Sequence, residues 1–341
     1  MRAASASAGD AARTAGWSRI AERGSIWGLR FTVWCYRHLG RRLCLPLVYT
    51  IVGYFFVTDA RGRRASLAYL RRIHADPRGR ESLRRPPGLR ESFHHYRSFA
   101  LAIVDRLAIW FGRGDDFQFV THGLDYAARL AEQGRGSLIL GSHLGSFDAL
   151  RLVAKRIGST VNVLMFTANA QRINQVLREV APEVEALVIP VDPSSVSSVF
   201  TIRERLRRGE HVAILADRIE VGDRDRAMRV PLLGGQVLLP QAPILLAGLL
   251  GCPLVTVVAL RDGPGRYEVF VDVLAERVKL PREGREEAVA GLLAAYARCL
   301  EHHCLRQPYQ WFNFFDYWQD EASDAAVAEG GPAASASRRA T

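Results

Sequence analysis

The feature that most constrains the fold is a regular alternation of short apolar runs and helical stretches between residues 136 and 276. The apolar runs are four to seven residues long, which is the length of buried strands rather than of helices. The predicted strands cover residues 137–140, 161–166, 186–190, 212–215, 254–260 and 267–273. This alternation predicts an α/β fold with a largely parallel sheet flanked by helices.

The stretches between the apolar runs have helical periodicity. The predicted helices cover residues 148–158, 171–180, 194–208 and 241–250. Residues 65–135 are also interpreted as helical, with basic amphipathic patterns that suit a cover for the sheet or a contact with lipid. Because ligands gather beyond the carboxyl ends of parallel strands, functional residues are expected in the loops that follow the strands.

The two ends of the chain lack apolar periodicity. Residues 1–16 are rich in Ala, Ser and Gly, and residues 319–341 have a similar composition, so both segments are predicted to be disordered. Between them, the pattern predicts a helical N-terminal region at residues 17–64 and one main domain at residues 65–318.

Residues 43–57 contain no charged side chain, and arginines lie on both sides of them. These fifteen residues fall short of the roughly 20 apolar residues that a membrane-spanning helix needs. The neighbouring Trp and Tyr side chains suit the membrane interface. We predict that the N-terminal region associates with a membrane. Whether it spans the bilayer or lies on it stays open, and a pair of buried helices in a soluble domain is the alternative.

The formal net charge of +11 favours an anionic partner, such as a phospholipid surface, a nucleic acid or an acidic carrier protein. The basic helices carry no recognised nucleic-acid-binding motif, so a nucleic acid is not expected as a partner. The five cysteines are scattered and odd in number, which is typical of a reducing compartment without structural disulfides. His302 and His303 lie between Cys299 and Cys304, but no second ligand group in the sequence completes a metal site.

The chemistry is predicted at residues 141–148, Gly-Ser-His-Leu-Gly-Ser-Phe-Asp, which follow a predicted strand and precede a helix. A neutral His143 can take a proton from an attacking hydroxyl or amine. Asp148 can accept a hydrogen bond from the other ring nitrogen and so fix the tautomer. Amides at the helix start, near Gly145 and Ser146, can stabilise developing negative charge. On spacing alone, a helix-capping Asp148 beside a merely polar loop histidine explains the pattern equally well.

His143-x4-Asp148 resembles the His-x4-Asp signature of the lysophospholipid acyltransferase superfamily, and specifically of its lipid A biosynthesis acyltransferase branch. Further landmarks of that branch follow in the matching order. They are Ala216-Asp217-Arg218, Val230-Pro-Leu-Leu-Gly-Gly235 and Pro308-Tyr-Gln-Trp311. The resemblance covers residues 17–318, nearly the whole of the chain that is expected to be ordered.

The chain departs from this branch at several positions. The lipid A enzymes usually carry Asn-Trp-Glu where this chain has Ser146-Phe147-Asp148, and paired Phe residues where it has Leu232 and Leu233. Residues 17–25 are similar to a less characterised bacterial subgroup that is associated with aryl polyene or related lipid pigments. The resemblance therefore leaves the lipid acceptor open.

The resemblance implies a glycerol-3-phosphate acyltransferase-like fold, with His143 and Asp148 as the catalytic residues. It implies transfer of a fatty acyl group from acyl carrier protein or coenzyme A to a hydroxyl or amine of a membrane lipid or glycolipid. No metal and no bound cofactor are expected, and the active site would face the cytoplasm at the inner membrane. A thioesterase-like hydrolase and a non-catalytic subunit that binds lipid or carrier protein are the alternatives.

Three further features complete the predicted site. Arg218 follows a strand end and is a candidate for contacting a phosphate, because a guanidinium fork suits phosphate oxygens. An ion pair with Glu220 or Asp223 is the alternative. Gly234 is a candidate for a close approach of substrate, although a simple turn needs a glycine as well. The aromatic cluster at residues 311–318 fits an acyl channel, an interfacial position or core packing.

Overall fold

The computed structural model describes residues 26–166, 187–191, 197–219 and 224–318. The strands are β1 (Gln118–His122), β2 (Leu138–Gly141), β3 (Val161–Phe166), β4 (Val188–Val191), β5 (His211–Leu215), β6 (Ala227–Leu232), β7 (Gly235–Pro240), β8 (Leu254–Gly263) and β9 (Arg266–Ala275). The helices are α1 (Ile26–Thr58), α2 (Ala60–Ala75), α3 (Pro77–Ser82), α4 (Leu89–Trp110), α5 (Leu124–Glu132), α6 (Phe147–Arg156), α7 (Ser197–Arg207), α8 (Ala242–Leu250) and α9 (Arg285–Arg306).

Seven of these strands form one sheet in the order β1-β9-β8-β2-β5-β3-β4. Strands β8, β2, β5, β3 and β4 run parallel to one another. Strand β9 is antiparallel to β8 and pairs in parallel with β1 at the edge. Strands β6 and β7 form a separate antiparallel hairpin. The predicted α/β class with a largely parallel sheet is confirmed.

All six predicted strands are present, as β2, β3, β4, β5, β8 and β9. Three predicted helices are present as α6, α7 and α8, and the fourth, at residues 171–180, lies outside the described residues. Strand β1 lies inside the stretch that the sequence pattern predicts to be helical. It is an edge strand whose residues are mostly exposed, so it lacks the apolar run that marks the central strands. The β6–β7 hairpin is also absent from the sequence-based prediction.

Both faces of the sheet are buried, as β2 illustrates. Leu138 and Leu140 pack into a core that includes residues of α8 and α9. Ile139, between them, packs into a second core that includes residues of α4 and α6. Successive strand residues face opposite sides of a sheet, so a central strand that is covered on both sides needs an uninterrupted apolar run. This requirement explains why the central strands can be recognised in the sequence.

Helix α1 packs along α4. Val48 and Val52 are buried, and the Phe56 ring packs edge-on against the rings of Phe93 and Tyr96 with centroid distances of 5.3 and 5.5 Å. These contacts place α1 in the same core as α4 and α6. The N-terminal helix is therefore continuous with the packing of the main domain.

Helix α1 also exposes large apolar side chains, among them Trp34, Tyr54 and Val57. No helix within the described residues is both long enough and apolar enough to cross a membrane. The predicted boundary between the N-terminal region and the main domain, at residues 64 and 65, falls inside α2.

His95 is completely buried where α2, α4 and the segment after α9 meet. Its Nε2 donates to the main-chain oxygen of Trp311 at 2.8 Å, since a carbonyl can only accept, and its Nδ1 lies 3.0 Å from the Ser66 hydroxyl. The Ser92 hydroxyl bonds in turn to that of Ser66 at 3.0 Å. Burial lowers the pKa of His95 to about 4, so the ring is neutral in the folded protein near pH 7.

We expect the burial of His95 to make stability depend on pH between about 6.5 and 4. In this window the unfolded chain binds a proton that the folded chain does not, so the free energy of unfolding falls as the pH falls, by up to about 3 kcal/mol from this residue. His95→Gln removes that contribution. Its free energy of unfolding, measured by urea unfolding at a series of pH values, should therefore fall less between pH 6.5 and 4. An equally steep fall in the variant would contradict this expectation.

Candidate active site

A short loop that leaves the carboxyl end of β2 carries His143. The loop residue Gly145 adopts a left-handed backbone with φ of 77°, and its amide donates to the Gln310 main-chain oxygen at 2.9 Å. The Ser146 amide donates to the Ala259 oxygen at 2.8 Å, and the Ser146 hydroxyl caps α6. Both amides are therefore engaged inside the fold and fix the loop, and the substrate contacts of Gly145 and Ser146 stay a prediction.

The imidazole of His143 is held by Asp217. Nδ1 of His143 lies 2.8 Å from one Asp217 carboxylate oxygen, and the His143 amide donates to the other at 2.9 Å. Strand pairing accounts for this contact. Gly141 of β2 is in register with Leu215 of β5, and each functional residue follows two positions later. Neighbouring parallel strands thus deliver a base and a carboxylate to the same sheet edge.

Asp217 has no exposed surface, and hydrogen-bond donors surround its carboxylate. Trp311 Nε1 and Asn313 Nδ2 donate to Asp217 Oδ2 at 3.0 and 3.3 Å. Burial by itself raises the pKa of the Asp217 carboxyl, but the His143 ring and amide and the Arg218 guanidinium outweigh burial and hold that pKa well below its ordinary value. Asp217 is therefore an anion in the folded protein.

An anionic Asp217 fixes the tautomer of His143. A carboxylate can only accept a hydrogen bond, so Nδ1 carries the proton and Nε2 keeps its lone pair. The His143 side chain is 28% exposed, whereas that of Asp217 is fully covered. Nε2 makes no hydrogen bond to the residues that the structure describes. This arrangement can accept a proton from a bound substrate.

Asp148, the predicted partner of His143, has different partners in the structure. Its carboxylate accepts from Arg106 Nε at 2.7 Å and from Trp110 Nε1 at 2.8 Å. It lies in the first turn of α6, which directs it toward α4 rather than toward the β2 loop. In the structure, His143 therefore donates its hydrogen bond to Asp217 rather than to the predicted Asp148. The structure also assigns the cap of α6 to Ser146, which was the role that the alternative gave to Asp148.

Arg218 braces the segment that closes the site. Its Nε donates to the Asn313 side-chain oxygen at 2.7 Å, its Nη2 donates to the Phe312 main-chain oxygen at 3.0 Å, and its guanidinium carbon lies 5.2 Å from the centre of the Phe315 ring. These contacts occupy the Nε and Nη2 edge of the guanidinium, and the contact of Arg218 with a phosphate stays a prediction. The alternative partners, Glu220 and Asp223, lie outside the described residues.

Gly234 serves the turn of the β6–β7 hairpin. Leu232 pairs with Gly235, so Leu233 and Gly234 form a two-residue loop, with φ of 49° and 70°. Such a turn needs left-handed backbone at both positions. The structure therefore gives Gly234 the turn role that the sequence left as the alternative to a substrate contact.

Residues 308–318, here called the closing segment, complete the site. Gln310 binds the main chain of Arg261 through both side-chain atoms, each at 2.8 Å, and Trp311 is 1% exposed. Sequence reasoning missed the roles of Gln310, Trp311 and Asp217. For Asp217, the available signal in the sequence was an aspartate that follows an apolar strand. Trp311 and Trp318 take the core-packing role among the three alternatives, since both are buried.

Within the part of the chain that the structure describes, no group of three or more His, Cys, Asp or Glu side chains could hold a metal ion. A sequence model of the family described as bacterial lipid A biosynthesis acyltransferase matches residues 19–320. The chain belongs to this family. A comparison with curated proteins finds no match.

Family membership confirms the predicted acyltransferase class, and it implies transfer of an acyl group to a lipid acceptor. The matched region contains both His143 and the closing segment. The pair formed by His143 and Asp217 therefore lies inside the acyltransferase domain.

Gly145 offers a test of how tightly the loop of this acyltransferase is built. A Cβ at this position would overlap the Ala259 carbonyl oxygen, and φ is positive. Gly134→Ala is the matched control, because φ there is 61° but nothing lies within 4 Å of the added Cβ. We expect the control to lose about 1–2 kcal/mol in thermal unfolding. Gly145→Ala should lose more stability and about 100-fold in acyl transfer per folded molecule.

Equal losses of stability and of transfer in the two variants would show that backbone strain alone decides the effect. In that case the close approach of the loop to β8 would have no part in positioning His143.

Proposed function

We propose that this protein transfers a fatty acyl group from a thioester of acyl carrier protein or coenzyme A to a hydroxyl or amine of a membrane lipid or glycolipid. His143 is the general base in this proposal, and Asp217 orients it. The observation that supports it most is the asymmetric burial of the pair, with a covered carboxylate on Nδ1 and a partly exposed ring that offers Nε2. No metal and no bound cofactor take part in the proposed reaction.

In the proposed reaction, His143 Nε2 takes the proton of the acceptor hydroxyl as its oxygen attacks the thioester carbonyl carbon. A carbon–oxygen bond forms and a tetrahedral intermediate results. When the intermediate collapses, the carbon–sulfur bond breaks and the imidazolium returns the proton to the leaving thiolate. The products are the acylated lipid and a free thiol, and His143 ends in its starting form.

Asp217 is suited to stabilise the imidazolium that forms between these two proton transfers. Its fully buried carboxylate lies 2.8 Å from Nδ1, and electrostatic interactions of a buried charge are stronger than those in solvent. Trp311 and Asn313 hold the carboxylate in place, so it need not reorient when the ring becomes charged. General-base catalysis by a group oriented in this way contributes roughly 10²–10⁴-fold in rate.

A group of aromatic rings next to the His143 loop is our candidate for the acyl-chain surface. The Phe312 amide donates to the His143 main-chain oxygen at 2.9 Å, so the main chain at Phe312 runs directly beside the His143 loop. Phe99 of α4 packs on Phe312 and Phe314 at centroid distances of 5.2 and 5.7 Å, and it is 40% exposed. Partly exposed apolar rings beside a catalytic base suit a hydrocarbon chain that enters from solvent or from a bilayer.

We further propose that the protein works at the cytoplasmic face of the inner membrane, where both kinds of thioester donor are found. The exposed apolar side chains of α1 and the net charge of +11 support attachment to an anionic bilayer. The same charge suits docking of an acidic carrier protein. The departures at Ser146–Asp148 and Leu232–Leu233 put lipid A itself in doubt as the acceptor. The similarity of residues 17–25 to the aryl-polyene-associated subgroup makes an acceptor of that class part of this proposal.

The function can be tested with cells that lack the gene and carry His143→Ala in its place. We expect the acylated lipid to disappear from the extract, as in the deletion, because no other group on the loop can accept the proton. Mass spectrometry of the lipids measures this and also identifies the acceptor. His122→Ala, at the exposed end of β1, is the control and should restore the lipid. Near-normal lipid in the His143→Ala strain would refute the mechanism.

The assignment of Asp217 can be tested by comparing Asp217→Asn with Asp148→Asn at saturating donor. The first keeps the shape of the site but no longer requires the proton on Nδ1, so its turnover should fall about 100-fold or more. The second disturbs contacts between α4 and α6, and its loss should stay below about tenfold. Thermal unfolding of both variants separates misfolding from lost catalysis. A larger catalytic loss in Asp148→Asn would reverse the two assignments.

A further inference from the structure

An open cavity of about 310 Å³ lies between the end of α3 and the first turn of α4. Its lining includes Ser82, Arg84, Arg85, Arg90, Glu91 and Tyr309. The cavity is distinct from the proposed acyl-chain surface, although Tyr309 belongs to the closing segment that holds Asp217. Three arginines thus face one cavity against a single carboxylate.

Among the described residues, Glu91 is the carboxylate that interacts electrostatically with one of these arginines, Arg90, without forming an ion pair with it. Glu91 is committed elsewhere, since its Oε2 accepts the Gly88 amide at 2.8 Å and so caps α4. The side chains of Arg84, Arg85 and Arg90 make no hydrogen bond or ion pair with the described residues.

A neighbouring arginine shows that this is not a general property of the region. Arg78, in α3, bonds to both Asp76 and Glu301 at 2.9 Å. Carboxylates are therefore available close by, but Glu91 is the only one among the residues that line the cavity with the three arginines.

The position at the start of α4 adds to the positive potential. Helix α4 is 22 residues long, and its N-terminal end carries the partial positive charge of the helix dipole. Several unpaired guanidinium groups at such an end form a site that an anion would stabilise. Their planar forks match the oxygens of a phosphate group better than those of a halide or a single carboxylate.

We propose that this cavity binds the phosphate headgroup of an anionic membrane lipid. Leu89 indicates that the phosphate comes from a lipid, because this side chain is 62% exposed directly beside Arg90. An exposed apolar side chain next to unpaired arginines is typical of a contact with headgroups and upper acyl chains. The inference rests on the proposed function only in taking a membrane as the working surface. It concerns attachment and orientation of the protein, and His143 takes no part in it.

The test measures binding of the full-length protein to phosphatidylcholine vesicles with and without a minor fraction of phosphatidic acid. We expect the phosphatidic acid to strengthen binding. Arg84→Gln/Arg85→Gln/Arg90→Gln should weaken binding to these vesicles by about tenfold or more, because the charge-assisted bonds to phosphate are lost. The matched control is Arg277→Gln/Arg282→Gln/Arg285→Gln, which removes the same charge from exposed positions, one of them also at a helix start. It should lose less than about threefold.

Equal weakening of the two triple variants would overturn the proposal, since general charge attraction would then explain the binding. Replacing the three cavity arginines with lysine keeps the charge and removes the fork, so binding should be intermediate. Inorganic phosphate serves as the second probe. If it protects the protein against thermal unfolding as well as soluble short-chain phosphatidic acid does, the lipid assignment is wrong. The proposal would also be overturned if binding of an acidic carrier protein depended on these arginines and binding of vesicles did not.

The His143→Ala variant keeps this test separate from the proposed function. It should bind vesicles like the wild type while it loses transfer. If it kept transfer, the catalytic proposal would fail and the vesicle result would still decide the role of the cavity.

Discussion

The contact between Asp217 and His143 is the interaction on which the rest of the structure depends. A carboxylate without any exposed surface is costly unless donors replace its lost water. The protein supplies the ring and amide of His143, the indole of Trp311 and the amide of Asn313. The bonds that make burial of the carboxylate tolerable are therefore the same bonds that fix the orientation and tautomer of the histidine.

The elements around this pair act mainly to bring its members together. The parallel register of β2 and β5 sets the two strand ends side by side. The closing segment is then fixed on three sides, by Gln310 on β8, by Arg218 on Asn313 and by His95 on the Trp311 carbonyl. None of these residues needs to touch a substrate.

The sequence was sufficient to predict the features that depend on residues close to one another along the chain. Central strands such as β2 and β8 need unbroken apolar runs because both faces are covered, and the loop after β2 stands out by its glycines and its histidine. The partner of His143 depends instead on which strands are neighbours. Asp148 is close in sequence and Asp217 is close in space, and only the strand order shows that β5 lies beside β2. Edge strand β1 was hidden for a related reason, because an exposed strand carries no apolar signal.

The closing segment also has a consequence for synthesis of the chain. Domains emerge from the ribosome from the N-terminal end, so β2, β5 and the loop of His143 are made well before residues 310–313. Until that segment arrives, Asp217 lacks the Trp311 and Asn313 donors, and the Gly145 amide lacks the Gln310 oxygen. A nascent chain can thus assemble most of its sheet before the hydrogen bonds that surround Asp217 and hold the His143 loop are complete.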